Sequence, residues 1–442
     1  MRANRRRASV ATIAVGACAS LSLAACTATG SSGDGEVDAS DVSTTVPQED
    51  VTLDLWYVND PPVEALVDGF EEKYPNITVE TTVVPFGDYI KSIKRSMGSD
   101  EAPDIAQYNP GAMRSLIPAG LIYNLDPYSQ AYGWEGEFPE SSLAPLTSNE
   151  EATKFDTGSL YAAPGGLSIL GVFYNKELLE EAGLDEVPHT VEEFSEALGA
   201  AEEAGIQPLS VGGLETGAGQ LWNAWANVLG DVQDYKDWVY GADGASIETD
   251  GALQAAQQIV DGVEAGYIRQ GASSVSDSDA LADFADGNSL FLVTGNWSVS
   301  QLQESMGDNV GFFAFPGESA DSEPVASGSS VAFSISSKTE HPNAAAAFLN
   351  YLGTPEAAQI QVDGGFMPVN TDADVQIGGL GDDVAEEFTA VIDGAGIVPF
   401  PGYASPGMVD KLQSGAQGLI TGHMAAEEYL RSMQEEWASY HS

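Results

Sequence analysis

Residues 51–109 read VTLDLWYVNDPPVEALVDGFEEKYPNITVETTVVPFGDYIKSIKRSMGSDEAPDIAQYN, and the hydrophobic rhythm inside them sets the architecture of the chain. Val51, Leu53 and Leu55 alternate, the period of a half-buried strand. After Asn59-Asp60-Pro61-Pro62, the residues Val63, Leu66, Val67, Phe70 and Tyr74 recur at helical spacing until Pro75-Asn76 breaks the run. Ile77, Val79, Thr81 and Val83 then alternate as a second strand. Tyr89, Ile90, Ile93 and Met97 mark a second helix, closed near Gly98. Asp104 to Tyr108 forms a short third strand, and Met113, Leu116 and Ile117 mark a short helix ending at Gly120. Strand and helix in strict alternation predict an α/β domain with a mostly parallel sheet covered by helices on both faces.

Downstream the theme recurs. Val172-Phe173-Tyr174 reads as a strand, and Thr190-Val191-Glu192-Glu193 as a capping box opening a helix with Phe194, Ala197, Leu198 and Ala201. Leu209-Ser210-Val211 is a strand. A glycine-rich turn after it leads into a helix carrying Leu221, Trp222, Trp225 and Val228. Leu253 to Val263 is a further amphipathic helix, while Leu290 to Val293 and Val331 to Ile335 are buried-type strands. Asn343 to Leu352 is an alanine-rich helix, and Met408 to Tyr440 is predicted helical. No internal repeat at a short fixed period is present.

Upstream, residues 27–50 are rich in Gly, Ser, Thr and Asp and predict a flexible tether. Ahead of it, Arg2, Arg5, Arg6 and Arg7 precede an apolar run from Val10 to Leu23, the order of a secretory signal peptide over residues 1–25. The run is shorter than the ~20 residues a membrane span needs. It closes on Leu23-Ala24-Ala25-Cys26, which resembles the bacterial lipobox; this implies cleavage before Cys26 and lipidation of its thiol. Two acyl chains make a lasting anchor. The expected location is therefore extracytoplasmic, with residues 26–50 hanging the rest of the chain from the outer face of the cell membrane.

Of 442 residues, 67 are acidic and 16 basic, a formal charge of −51. Such a surface repels nucleic acid and anionic headgroups. The two cysteines, Cys18 and Cys26, leave the body of the chain with neither disulfide nor thiolate metal site.

In open α/β sheets ligands bind beyond the carboxyl ends of the strands. That rule selects Trp56, Asn59 and Asp60 after the first strand, and Tyr108 and Asn109 after the third. It also selects Glu215, Gln220, Trp222 and Trp225 beyond Val211, and Asn296 and Trp297 beyond Val293. Each set pairs an aromatic with an amide or a carboxylate. A sugar needs that pairing, a flat face for its C–H surface and fixed polar groups for its hydroxyls. Asp60 and Glu215 are also candidate partners for a cationic ligand. The signals for catalysis are weak. No GxSxG elbow or P-loop occurs, and His189, His341, His423 and His441 have no metal-ligand spacing. Asp277/Asp279 and Asp372/Asp374 do not continue as calcium loops and read as caps or solvated turns. No metal and no cofactor are expected. Whether two carboxylates meet at glycoside-hydrolysis spacing is a tertiary question, so a glycoside-active enzyme stays open at this point, as does a polyamine or peptide as ligand.

Four blocks in order give a resemblance. They are Phe70-Glu71-Glu72-Lys73-Tyr74-Pro75-Asn76-Ile77-Thr78-Val79 with Ala102-Pro103-Asp104-Ile105; Tyr161-Ala162-Ala163-Pro164 through Phe194; Phe284-Ala285-Asp286-Gly287-Asn288 to Gly295-Asn296-Trp297; and Ala344 to Leu352 with Gly365-Phe366-Met367-Pro368. Together they resemble the extracellular solute-binding lipoproteins of ABC importers, the family (family 1) that serves carbohydrate uptake. Val191 stands where a Trp is usual in that family. The resemblance implies a two-lobe periplasmic-binding-protein-like (type II) fold with a ligand cleft between discontinuous lobes. Lobe 1 would take residues 51–162 plus 328–372, and lobe 2 residues 165–324 plus 375–442. It makes Trp297 the sugar-stacking residue and draws Phe366 and Tyr403 into the site. The partners it implies are a sugar, taken as an oligosaccharide, and the importer's permease subunits, with the chain acting as a monomer and not as an enzyme.

Overall fold

A computed structural model describes residues 39–58 and 62–442. The signal segment, Cys26 and the first half of the tether lie outside the described residues, as do Asn59, Asp60 and Pro61. Among the described residues no helix is long and apolar enough to cross a membrane.

The frame is a nine-stranded mixed sheet. Its strands are β1 (Val51–Tyr57), β2 (Ile77–Val83), β3 (Ile105–Tyr108), β4 (Ala163–Asn175), β5 (Gln207–Ser210), β6 (Ser289–Gly295), β7 (Val310–Phe313), β8 (Val325–Ile335) and β9 (Gly396–Val398). They run in the order β2-β1-β3-β8-β4-β6-β5, with β9 beside β8 and β7 beside β4. The alternation read from residues 51–109 holds: β1 pairs in parallel with β2 and β3, and the helices Pro62–Lys73 and Phe86–Met97 connect them. The sheet is less parallel than expected, because β8 runs antiparallel to both β3 and β4, and β4 antiparallel to β6 and β7. Strands β7 and β9 are short and lie among turn residues, so their apolar runs carry little periodic signal.

Strands β4 and β8 are the long ones, at 13 and 11 residues. Each crosses between two apolar cores. Ala163, Leu167, Ile169 and Phe173 of β4 pack in the first, Leu170 and Val172 in the second. The first core gathers β1–β3 and the alanine-rich helix Pro342–Tyr351; the second gathers the helices from Val191 to Glu264 with the two C-terminal ones. Core membership departs from residue-number boundaries in places. Phe155 sits in the second core, while Leu292, Val299 and Phe312, and Leu380, Val384 and Val391 of the helix Leu380–Asp393, sit in the first. The C-terminal stretch is two helices, Met408–Ile420 and Ala426–His441.

The described part of the tether is pinned. Ser43 N donates to Asn343 Oδ1 at 2.9 Å, Asn343 Nδ2 to Asp41 O at 3.1 Å, and Asn76 Nδ2 to the carbonyls of Pro47 and Glu49. Val42 and Val46 pack against the first core. A segment with no internal periodicity is ordered here by two distant asparagines, which local composition does not reveal.

The Thr190 capping box is present. Thr190 Oγ1 accepts from Glu193 N at 3.2 Å, and the Glu193 carboxylate accepts from the backbone N–H groups of His189 and Thr190.

Candidate functional site

A cavity of about 370 Å³ lies where the crossing strands pass between the two cores. Its floor is Ser168 of β4, Ser329 to Val331 of β8 and Phe366. The register of β8 on β4 shifts between Ser330 and Ala332, and this bulge re-aims Ser329 and Ser330. One wall comes from the ends of β1 and β3: Val58, Gln107, Tyr108 and Asn109, with Phe86 and Tyr89 of the following helix. The opposite wall is Thr294, Trp297, Phe400 and Tyr403, with Gly219, Gln220 and Asn223 of the helix Gly217–Leu229.

Trp297 is half-buried and reaches the cavity because the residue two before it is glycine. A Cβ on Gly295 would stand 2.1 Å from the Trp297 ring, so the indole folds back over bare backbone. The ring centroid of Phe400 lies 6.1 Å from that of Trp297, tilted, and 6.0 Å from that of Tyr403, edge-on. These three form an aromatic row along one wall. Amides held in place share the lining with it. Gln107 Oε1 accepts from Val58 N at 2.8 Å, Asn109 Oδ1 caps its helix by accepting from Ala112 N at 2.9 Å, and Asn223 Oδ1 accepts from Tyr235 Oη at 2.7 Å. Asn223 Nδ2 and Ser330 Oγ have no hydrogen-bond partner in the protein.

Among the described residues the lining has one charged group, Asp277. Its oxygens are already engaged: Oδ1 accepts from Gly217 N at 2.9 Å, Oδ2 from Thr216 N at 3.1 Å and from Thr216 Oγ1 at 2.5 Å. Burial raises its pKa above the usual carboxylate range, against those three hydrogen bonds, which lower it. Asp277 thus reads as the cap that orders the turn into the helix Gly217–Leu229. Among the described residues no group of three or more His, Cys, Asp or Glu is clustered as a metal set.

Of the residues selected from sequence, the structure brings Tyr108, Asn109, Gln220, Trp297, Phe366 and Tyr403 together around the cavity. Asn59 and Asp60 lie outside the described residues. The other five are placed elsewhere, each for a physical reason. Trp56 faces away from the buried side of β1, where Val51, Leu53, Leu55 and Tyr57 alternate inward. Trp222 is fully buried, its Nε1 donating to Ala252 O at 3.2 Å and its ring edge-on to Tyr429. Trp225 packs edge-on to Phe194 and Phe315. Glu215 is exposed and accepts from Asp277 N at 2.8 Å. Asn296 is a staple under the site, accepting from Ile169 N at 3.0 Å and donating to the carbonyls of Leu167 and Gly365.

Trp222 and Trp225 mislead because the helix shows the cavity its other face. Gln220, Asn223 and Asn227 recur at i, i+3 and i+7, a polar stripe in an otherwise apolar helix. Gln220 and Asn223 line the cavity, and Asn227 donates to Ser327 Oγ of β8 at 2.8 Å. That stripe was the available signal. Gln107, a lone amide in the buried strand IAQY, was another.

The family profile of the bacterial extracellular solute-binding proteins matches residues 58–359, more than half of the chain. The chain belongs to this family. The family is one of binding proteins and not a class of enzymes. A multiple sugar-binding protein of Streptococcus mutans is 26% identical over 320 residues, which is 70% of this chain and 72% of that one. An ABC transporter extracellular-binding protein of Pyrococcus horikoshii is 24% identical over 304 residues, 66% of this chain and 65% of that one. A chitin oligosaccharide binding protein of known structure superposes with a TM-score of 0.76 at 21% identity, covering 88% of this chain and 98% of the other. The fold is thus the two-lobe type of periplasmic binding proteins.

Proposed function

We propose that this solute-binding protein captures a neutral sugar, as an oligosaccharide, in the interlobe cavity and delivers it to the permease of an ABC importer. One observation carries the reading: a row of Trp297, Phe400 and Tyr403 shares the lining with amides and hydroxyls, and the single lining carboxylate among the described residues is engaged by the protein itself. Aromatic faces take the C–H surface of a pyranose, and fixed neutral donors and acceptors take its hydroxyls. A cationic ligand would want a carboxylate with lone pairs to spare, and hydrolysis of a glycoside would want two carboxyl groups flanking the bond. The names of the streptococcal relative and of the chitin oligosaccharide neighbour support the same ligand class.

The ligand touches both walls only when the lobes are together, so it shifts the hinge equilibrium toward the closed state, and the permease reads that shape. No bond is made or broken. The protein acts as a monomer, held to the outer face of the membrane through lipid on Cys26.

Heat unfolding of the purified protein against mono- and oligosaccharides, polyamines and peptides tests this. A ligand at about a hundred times its Kd stabilises the folded state by about 2.7 kcal/mol. A saccharide that raises the transition and is recovered intact is the expected result. A saccharide recovered cleaved, or a shift with polyamines or peptides alone, overturns it.

A further inference from the structure

Arg114 is fully buried, and among the described residues no carboxylate pairs with it. A buried charge without a counterion is costly, so its neighbours matter. Its turn, Arg114–Leu116, follows directly from the segment that carries Tyr108 and Asn109, and Met113 and Leu116 anchor that turn in the first core. The guanidinium bridges from that core, which holds Ala152, to the second, which holds Tyr403 and Ala404. Nε donates to Ala152 O at 2.6 Å, and Nη1 to the carbonyls of Tyr403 and Ala404, both at 2.9 Å. It lies over the ring of Phe155, a second-core residue, at 3.9 Å and over the ring of Tyr440, on the helix Ala426–His441, at 5.3 Å. Tyr440 Oη donates to the same Ala152 carbonyl at 2.9 Å, and His441 Nε2 stands 2.9 Å from Ala404 O. Burial lowers the arginine's pKa to about 10, which leaves it charged at neutral pH.

The same two backbone segments meet directly. A Cβ on Gly111 would stand 2.1 Å from Gly402 O, so the Asn109–Met113 turn and the Phe400–Tyr403 turn touch backbone to backbone. Arg114 does not line the cavity, yet it holds the carbonyl of Tyr403, which does.

We infer that Arg114 is an interlobe clasp: its guanidinium locks the Tyr403 wall of the cavity against the Tyr108–Asn109 wall and so sets ligand affinity without touching ligand. The planar fork suits this, since it addresses three carbonyls while stacking on a ring, which a lysine cannot do. Arg114 is a positioning residue, and the inference rests on the sugar-binding reading for its ligand.

The test compares wild type with Arg114→Lys, which keeps the charge but loses fork and stacking, and with Phe155→Leu, which keeps the arginine but removes its platform. The saccharide found by heat unfolding serves as probe. Kd and dissociation rate are measured by calorimetry and stopped-flow tryptophan fluorescence, and amide exchange is followed over residues 400–404. The expected result for Arg114→Lys is a Kd raised at least tenfold, carried by faster dissociation, with faster exchange at 400–404 and an unchanged circular dichroism spectrum. Phe155→Leu moves both readouts the same way by at least threefold, and it stands in should Arg114→Lys not fold. Wild-type Kd and wild-type exchange in the folded variants overturn the clasp. If wild type binds no saccharide, the sugar reading falls while the clasp is judged on exchange alone: unchanged exchange at 400–404 overturns it.

Discussion

Trp297 and Trp222 show how little residue type says about role. Both are tryptophans close to a strand end, and both are plausible sugar platforms by that criterion. Trp297 follows Gly295, whose missing side chain lets the indole lie over backbone at the cavity edge. Trp222 is sealed between Ala252 and Tyr429. Their substitutions separate cleanly. Trp297→Ala is expected to weaken saccharide binding at least tenfold by calorimetry, with a smaller loss of stability than Trp222→Ala because its ring is only partly buried. Trp222→Ala is expected to cost about 3–5 kcal/mol in urea unfolding, the range for a fully buried large aromatic. Saccharide affinity of the folded fraction should then stay within threefold, since the indole does not reach the cavity. Equal losses of affinity in the two variants would contradict the assignment of the cavity walls.

At the scale of elements, the helix Gly217–Leu229 has two working faces. Trp222 and Trp225 bury one in the second core, and Gln220, Asn223 and Asn227 turn the other toward the cavity and β8. A helix apolar nearly all round is a buried helix, and the polar stripe marks where it meets something other than hydrocarbon. Asn223→Ala is therefore expected to reduce saccharide affinity by about tenfold, the loss of roughly one hydrogen bond to a ligand in a desolvated site, again by calorimetry. An unchanged Kd would remove this stripe from the site. The long strands β4 and β8 play a comparable part. They span both cores, and the bulge at Ser330/Ala332 places their hydroxyls in the cleft. Only the apolar ends of these strands stood out in the sequence, because Gly, Ser and Pro in their other halves resemble a loop until an antiparallel partner supplies the hydrogen bonds.

For the molecule as a whole, charge dominates. The chain carries −51, and among the described residues three Lys or Arg side chains make ion pairs with carboxylates, two of the pairs on partly exposed surface. Self-repulsion of this kind opposes the compact state and is screened by salt, with a Debye length of about 30 Å at 0.01 M and about 10 Å at 0.1 M. The melting temperature is expected to rise by several degrees from about 0.01 M to about 0.5 M sodium chloride; a flat profile would show the acids to be spaced beyond mutual influence. Membrane attachment belongs to this scale too. Cys26→Ser is expected to move the protein from the membrane fraction to the medium, and continued sedimentation with membranes would refute the lipid anchor. From its sequence alone this chain had determined its alternating α/β start, the family blocks and the place of Trp297 just beyond a buried strand, because each is written in local periodicity or in a contiguous motif. Only the tertiary structure decided which face of the Gly217 helix meets the cleft, that Phe400 completes the aromatic row, that Asp277 is spent on a helix start, and that Arg114 reaches across to Tyr403. Those depend on residues hundreds of positions apart being packed together, and no local pattern records which side of an element its distant neighbour will cover.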